Sequence, residues 1–232
     1  IIAKTEKIIP TPADHKTGWR RFLRYDGHNS VTRDPGNAAL YLQHHDDMRG
    51  AIVWDQFANR ITWARDAPQL PGAGSDTPLT RPTAGELIAD WHTTYVGHWL
   101  ALTAHVSFPK TSIDSAMEHA ARANAVHPVR DYLTSLTWDG VERLASWLQV
   151  YLGAGPGIGG EEYLSSVGTW WLISAVARVF RPGCQADHML VLEGGQGSGK
   201  STGIEALCGK DWFLHGLKDV THKDAELKLN GR

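Results

Sequence analysis

The sequence predicts an α/β protein in which a small α+β module and a helical region precede the first part of a second, α/β domain. Two observations lead to this prediction. An apolar run at residues 188–193 is followed by a glycine-rich turn and a helix-forming stretch, and two short runs upstream have the composition of a β-hairpin. Because strand and helix alternate near residue 190, a parallel sheet is expected in this second domain.

Residues 17–125 are predicted to form the small α+β module. Residues 1–16 carry two prolines and no hydrophobic period, which indicates a linker. Asn37 is suited to cap a short helix that ends near His45. Residues 51–54 and 60–63, rich in β-branched and aromatic side chains, then predict the two strands of a hairpin.

Two longer helices are predicted next. Pro, Gly, Ser and Thr dominate residues 67–82, so we expect an exposed loop there. Residues 84–102 then show apolar side chains at helical spacing, and Ser112 offers a cap for a helix that continues to Asn124. A helix, a hairpin and two helices could form a winged-helix-like module that binds DNA, or an equally compact helical spacer, and the spacer is the favoured alternative.

The remaining elements belong to a helical lead-in, residues 126–160, and to the α/β domain, residues 161–232. Pro128 is placed to begin a helix, and the longest periodic segment, residues 161–180, forms one apolar stripe. The predicted helices are 128–136, 141–152, 161–180 and 223–229, and a further helix is predicted to start at 202–207. The predicted strands are 188–193 and 211–214.

Composition and charge exclude several classes of protein. Of the 232 residues, 42% are hydrophobic, which is ample for a buried core, and the net charge of −2 does not indicate a strongly basic nucleic-acid-binding protein. Cys184 and Cys208 lack metal-ligand spacing, and no secretory or membrane-spanning run is evident, so reduced thiols and a cytoplasmic location are expected. Because the chain opens at Ile1 and stops at Arg232, where the α/β domain has only begun, we interpret it as an excerpt from a longer protein.

A glycine-rich motif is the most specific feature of the sequence. It consists of Gly194, Gly195, Gln196, Gly197, Ser198, Gly199, Lys200 and Ser201, and Thr202 follows it. A G-x-x-x-x-G-K-[ST] pattern between a strand and a helix predicts a phosphate-binding loop. Glycines let successive backbone N–H groups face a phosphate, and the helix start adds its positive end.

The side chains at the end of the motif are predicted to complete a nucleotide site. Lys200 would bring its ammonium to the β- and γ-phosphates, and the Ser201 hydroxyl would bind the Mg²⁺ that bridges them. Thr202 is placed to contact the α-phosphate. A glycine-rich turn that binds nothing is the alternative, and the flanking strand and helix favour nucleotide binding.

A set of short runs extends the pattern beyond the loop. These runs are residues 127–133, 136–141, 171–178, 182–184, 187–194, 196–197, 199–202, 211–213 and 223–224, with weaker counterparts at 49–50 and 54–60. Together they resemble the virulence-associated protein E family, the helicase-like P-loop ATPases of phages, prophages and genomic islands. Members of that family often have Pro where this chain has Gly195, a difference that should loosen the turn without removing a donor.

The resemblance implies an ATPase related to superfamily III helicases and AAA+ proteins, with ATP and Mg²⁺ as cofactors. It also implies a homo-oligomeric ring around single-stranded or forked DNA, often with an upstream primase-like domain. Residues 161–232 would then be the incomplete P-loop ATPase domain. In the family, acidic residues on the next strand complete the Mg²⁺ site and activate water, so no catalytic residue is assigned in this chain.

The sequence therefore predicts an ATP-binding fragment of a helicase-like ATPase for phage or mobile-element DNA replication. The full-length protein would hydrolyse ATP, and this fragment would be inactive alone. A non-hydrolysing nucleotide-binding switch or remnant is the alternative. A small-molecule kinase is disfavoured, because the long helical region before the loop has no role in such enzymes. Core packing is expected for Trp91, Trp147 and Trp171, with stacking on single-stranded DNA as the alternative. Surface ion pairs are expected for Arg130 and Arg178, and contact with a phosphate or a neighbouring subunit is the alternative.

Overall fold

The structure of the chain is a computed structural model that describes residues 18–72 and 79–217. The chain divides into two compact units, residues 1–126 (unit 1) and residues 127–232 (unit 2). The linker predicted at residues 1–16 and the helix predicted at residues 223–229 lie outside the described residues.

Unit 1 combines helices with a small sheet. Its elements are a 3₁₀ helix (Gly18–Phe22), helix α1 (Pro35–His44), strands β1 (Ile52–Asp55) and β2 (Arg60–Trp63), helices α2 (Asp90–Ala104) and α3 (Lys110–Ala123), and strand β3 (Ala125–Val126). The predicted hairpin is confirmed, since β1 pairs antiparallel with β2. The sequence missed β3, a two-residue strand that pairs parallel with β1 and gives the strand order β2-β1-β3.

Helix α1 begins earlier than predicted, because its cap is Asp34 and not Asn37. The Asp34 carboxylate accepts a 3.1 Å hydrogen bond from the Asn37 N–H, and Pro35 occupies the first helical position. The Asn37 side chain is fully buried instead. Its amide nitrogen donates to the carbonyl oxygens of Arg24 and Thr32 at 2.8 and 3.0 Å, so it fixes the preceding loop against the helix.

The segment before α2 also departs from prediction. Residues 84–89 are not helical, because the backbone at 85–88 pairs with β2 through hydrogen bonds from Trp63 N–H to Glu86 O (3.0 Å) and from Ile88 N–H to Ile61 O (3.1 Å). The predicted exposed loop is partly buried, since Ala67 and Leu70 join the core.

The core of unit 1 lies between the three helices and the sheet. It is made of apolar side chains on the inner faces of these elements, including Leu42, Ile52, Trp63, Trp99 and Met117. Burial of this kind accounts for most of the stability of a small domain.

Unit 2 is helical in its described part. Its elements are α4 (Pro128–Ser135), α5 (Trp147–Leu152), α6 (Gly160–Phe180), α7 (Lys200–Cys208) and a 3₁₀ helix (Lys210–Trp212). Helices were predicted correctly at α4, α6 and α7. Only the second half of the helix predicted at 141–152 forms, because residues 138–143 are held in a turn by a bidentate ion pair between Asp139 and Arg143.

The two strands predicted in unit 2 are wrong for the residues that the structure describes. Residues 188–193 form neither helix nor strand, and Met189 is 84% exposed. Residues 210–212 form a 3₁₀ helix. A strand requires a hydrogen-bonded partner, and no described residue of unit 2 pairs with either segment. The chain is thus a mixed helix and strand protein, consistent with the α/β class, whose described sheet lies in unit 1. No helix in the described ranges has the length and apolarity needed to cross a membrane.

Candidate phosphate-binding loop

The glycine motif forms a loop that leads directly into α7. Gly197 and Gly199 have φ angles of +79°, in the left-handed region that glycine adopts at least cost. Gly199 is also the residue that caps α7, and the first intrahelical hydrogen bond runs from Gly203 N–H to Gly199 O at 2.8 Å. The loop therefore turns the chain so that the helix begins at Lys200.

Most backbone N–H groups of this loop have no acceptor among the described residues. The Ser198 N–H makes a long 3.4 Å hydrogen bond to the Gly195 carbonyl, but the other N–H groups of residues 195–202 donate to none of the residues in the described ranges. The space beside Gly195, Gly197 and Gly199 is open, since a Cβ atom at any of them would meet nothing within 4 Å. Exposed, consecutive N–H groups that end at a helix N-terminus favour an anion.

The Lys200 side chain folds back over the loop. Its ammonium donates to the carbonyl oxygens of Gly194 and Gly195, both at 2.9 Å, and to the Ser198 hydroxyl at 3.0 Å. All three acceptors are neutral, and no carboxylate among the described residues forms an ion pair with Lys200. The loop thus holds a positive charge that no described acidic group neutralises.

Ser201 and Thr202 lie on the exposed first turn of α7. The portion of the chain that the structure describes contains no group of three or more His, Cys, Asp or Glu side chains that could hold a metal ion. A hydroxyl in this position suits Mg²⁺, which commonly takes one or two protein ligands and completes its shell with phosphate oxygens and water. Ser201 therefore fits the role of a single protein ligand to a nucleotide-bound ion.

Nearby acidic side chains have other contacts. Glu205 lies 3.4 Å from His215, and Asp187 accepts a 2.8 Å hydrogen bond from Gln185. Glu193 is exposed before the loop. No described contact places any of these three carboxylates at the loop.

Other side chains that the sequence singled out have structural contacts. Trp147 is buried and stacks on the half-buried Trp171 with 5.6 Å between ring centroids, so core packing is confirmed for Trp147. Core packing is wrong for Trp91, whose side chain is 40% exposed. Neither of the two arginines forms the predicted ion pair with any residue that the structure describes. Arg130 donates to the Val179 carbonyl and Arg178 to the Cys184 carbonyl, each at 3.2 Å, so both guanidinium groups tie helix ends to neighbouring backbone.

Sequence reasoning missed an apolar cavity of about 1,010 Å³ within unit 2. It lies between the segment 138–152, helix α6 and the face of α7 that carries Gly203 and Leu207. No sequence pattern could reveal it, because three segments far apart in the chain form its walls. One wall of the cavity is formed by α7, the helix that begins at the end of the glycine loop.

The comparison with known families bears on unit 2. Residues 133–232 match the model of the virulence-associated protein E-like domain. The match spans α5, α6, the glycine loop and α7, and supports the resemblance that the short runs indicated. No curated protein matches the chain.

Proposed function

We propose that the chain binds ATP with Mg²⁺ through residues 194–202, as part of a helicase-like ATPase that serves the replication of phage or other mobile-element DNA. The observation that carries the proposal is the Lys200 ammonium, which no described acidic group neutralises, beside a row of backbone N–H groups most of which have no acceptor among the described residues. Phosphate oxygens supply the acceptors and the negative charge that this arrangement lacks.

Each group in the loop has a distinct part in this proposal. The N–H groups of residues 195–202 hold the phosphate chain, and Lys200 exchanges its contacts with loop carbonyls for contacts with the β- and γ-phosphate oxygens. Ser201 would hold Mg²⁺, and Thr202 would contact the α-phosphate. A bound Mg²⁺ neutralises charge that develops as water attacks the γ-phosphorus in line with the leaving oxygen.

The match to the virulence-associated protein E-like domain supports the helicase-like part of the proposal. By the same resemblance we propose single-stranded or forked DNA as the partner, a homo-oligomeric ring as the working form and a primase-like domain upstream. The weak net charge of −2 means that the electrostatic contribution to DNA binding must come from local patches.

A non-hydrolysing nucleotide-binding switch is the second candidate. The observation that favours it is that two carboxylates close to the loop in sequence have other partners, Glu205 with His215 and Asp187 with Gln185. Both candidates require the loop to bind a nucleotide, and they differ in turnover.

Equilibrium binding of a fluorescent ATP analogue with Mg²⁺, combined with ATP turnover with and without single-stranded DNA, tests the proposal. We expect micromolar binding, a common range for nucleotide sites. Turnover that DNA stimulates supports the helicase-like ATPase, and binding without turnover supports the switch. No binding at millimolar nucleotide contradicts both.

A further inference from the structure

The 1,010 Å³ cavity of unit 2 lies against the same helix that begins at the phosphate loop. Its walls are mainly aliphatic and aromatic, and include Trp138, Tyr151, Leu152, Leu172, Gly203 and Leu207. Small-molecule sites are typically concave, predominantly apolar and of this general size. All of these residues belong to unit 2.

The glycine loop and the cavity adjoin successive parts of α7. Gly203 and Leu207 follow Lys200 by three and seven residues, which places them about 4.5 and 10.5 Å along the helix axis from it. The ribose and the linking phosphate of a nucleotide bridge a gap of this order. A nucleotide whose phosphates lie at the start of α7 can therefore place its base beside the first two turns of the helix.

The close approach of α5 to α7 forms the back of the cavity. A Cβ atom on Gly203 would overlap Cδ2 of Leu152, so glycine at this position lets the two helices approach. Glycine inside a helix is less favourable than alanine, because it loses more backbone freedom on folding. Packing against Leu152 accounts for a glycine inside a helix.

An anchored aromatic side chain stands at the cavity wall. Trp138 is 75% exposed, and its indole N–H donates to the Val141 carbonyl at 3.3 Å. The same turn is held by the bidentate Asp139–Arg143 ion pair, with N···O distances of 2.8 and 2.7 Å. An exposed aromatic ring that its own turn holds in place is suited to stack on a planar base.

Two polar side chains of the cavity wall already form hydrogen bonds to other residues of unit 2. Arg143 is bound to Asp139, and the Thr169 hydroxyl donates to the Leu144 carbonyl at 3.3 Å. Stacking and exclusion of water, more than hydrogen bonding, are therefore the means by which this cavity can bind a ligand. These are the interactions that a purine base forms most strongly.

From this juxtaposition we infer that the cavity is the base-binding part of the nucleotide site, and that the purine of the bound nucleoside triphosphate stacks on Trp138. The inference rests on the proposed function, because the phosphate loop supplies the anchor for the other end of the ligand. It adds Trp138, Tyr151 and the exposed face of α7 to the residues that decide nucleotide affinity.

Two ligands distinguish binding at the base site from binding at the phosphate loop. Mg²⁺–ATP carries a base and inorganic tripolyphosphate does not, so the two are titrated against the 232-residue chain and its variants by calorimetry. The wild-type chain should bind ATP about ten-fold more tightly than tripolyphosphate, and Trp138→Ala should remove that advantage while tripolyphosphate affinity stays unchanged. Trp170→Ala is the matched control, because Trp170 is 61% exposed on α6 and does not line the cavity.

A second variant tests the cavity by filling it. Ala206→Phe adds an aromatic ring from α7 to the cavity, and should weaken ATP about ten-fold with no effect on tripolyphosphate. The base site is contradicted if ATP affinity is unchanged in both Trp138→Ala and Ala206→Phe, or if the wild-type chain binds the two ligands equally tightly. Neither result contradicts the phosphate loop. Failure of the wild-type chain to bind either ligand overturns the proposed function, and the base site with it.

Discussion

Lys200 donates a 2.9 Å hydrogen bond from its ammonium to the carbonyl oxygen of Gly194, the residue at which the glycine loop begins. A second bond of the same length reaches Gly195. The Lys200 ammonium thus lies in the loop, and its described hydrogen-bond partners carry no net charge. Such a cation gains more from a phosphate than from carbonyl oxygens, because a phosphate oxygen carries a negative charge whose attraction adds to the hydrogen bond.

Replacing Lys200 by Ala should lower the affinity for Mg²⁺–ATP by roughly 10- to 100-fold, because one charge-assisted contact is worth about 1.5–3 kcal/mol. The free energy of unfolding should change by less than about 0.5 kcal/mol, since water can hydrate the carbonyls that the ammonium leaves. Lys210→Ala is the control, an exposed lysine outside the loop. Equal ATP affinity in wild type and Lys200→Ala would remove the phosphate-loop assignment.

Ser201→Ala should weaken ATP binding only when Mg²⁺ is present. The hydroxyl is proposed as the protein ligand of the ion, so we expect roughly a ten-fold loss with Mg²⁺ and no loss with EDTA. Ser201→Thr keeps the hydroxyl and should retain the Mg²⁺ dependence. A Ser201→Ala variant that loses affinity equally in both conditions would indicate a contact to phosphate and not to the metal.

Local sequence predicted the loop and the helices better than it predicted the sheets. The requirement for glycine at 199 and for a positive charge at 200 depends only on the backbone and the charges within a few residues. Helix α7 begins at Lys200, where these two residues indicate. The predicted strand at 188–193 failed because an apolar run becomes a strand only when a partner pairs with it, and periodicity carries no information about partners. For the same reason the cavity beside Gly203 could not be predicted, since its walls come from three separate segments.

Asn37 is predicted to be among the least replaceable polar residues of unit 1. It is fully buried, its amide nitrogen donates to Arg24 O and Thr32 O, and its oxygen accepts from Arg24 N–H at 2.9 Å. Asn37→Asp replaces the two donated bonds with repulsion between a carboxylate and two carbonyls, so we expect a loss of about 3 kcal/mol in the free energy of unfolding.

Urea unfolding measures this loss, and Asn59→Asp provides a matched control. Asn59 is exposed in the β1–β2 turn with φ +52°, a conformation that aspartate also tolerates. The control should change the free energy of unfolding by less than about 0.5 kcal/mol. If the two variants unfold at the same urea concentration, the Asn37 network does not support the fold as described.

Gly168 sets the distance between α5 and α6 in unit 2. A Cβ atom there would lie 2.8 Å from Nε1 of Trp147 and 3.0 Å from Cδ1 of Leu148, both of which are buried. Gly168→Ala gains about 1 kcal/mol of helix propensity but overpacks the contact by about 1–3 kcal/mol, so a net loss of about 1 kcal/mol is expected. Thermal unfolding compares it with Ser166→Ala on the same helix, which should not be destabilised. A stabilised Gly168→Ala variant would contradict the close packing of the two helices.

The turn that carries Trp138 should resist acid. The Arg143 guanidinium, helped by the Val141 backbone N–H, lowers the pKa of Asp139 to about 2. An ordinary aspartate in an unfolded chain titrates near pH 3.9. Because the folded-state pKa is the lower one, the stabilising contribution of the ion pair is present above about pH 4 and is lost as the pH falls through about 2.

Carboxyl chemical shifts followed by NMR give the pKa of Asp139 directly. Arg143→Gln should return it toward the ordinary value, whereas Glu142→Gln should leave it low, because Glu142 is not among the groups that shift it. If the turn also positions Trp138 for a base, Arg143→Gln should weaken ATP but not tripolyphosphate. A low Asp139 pKa in Arg143→Gln would show that the backbone N–H of Val141, and not the guanidinium, is the dominant cause, and the ion pair would then not be what orders this wall of the cavity.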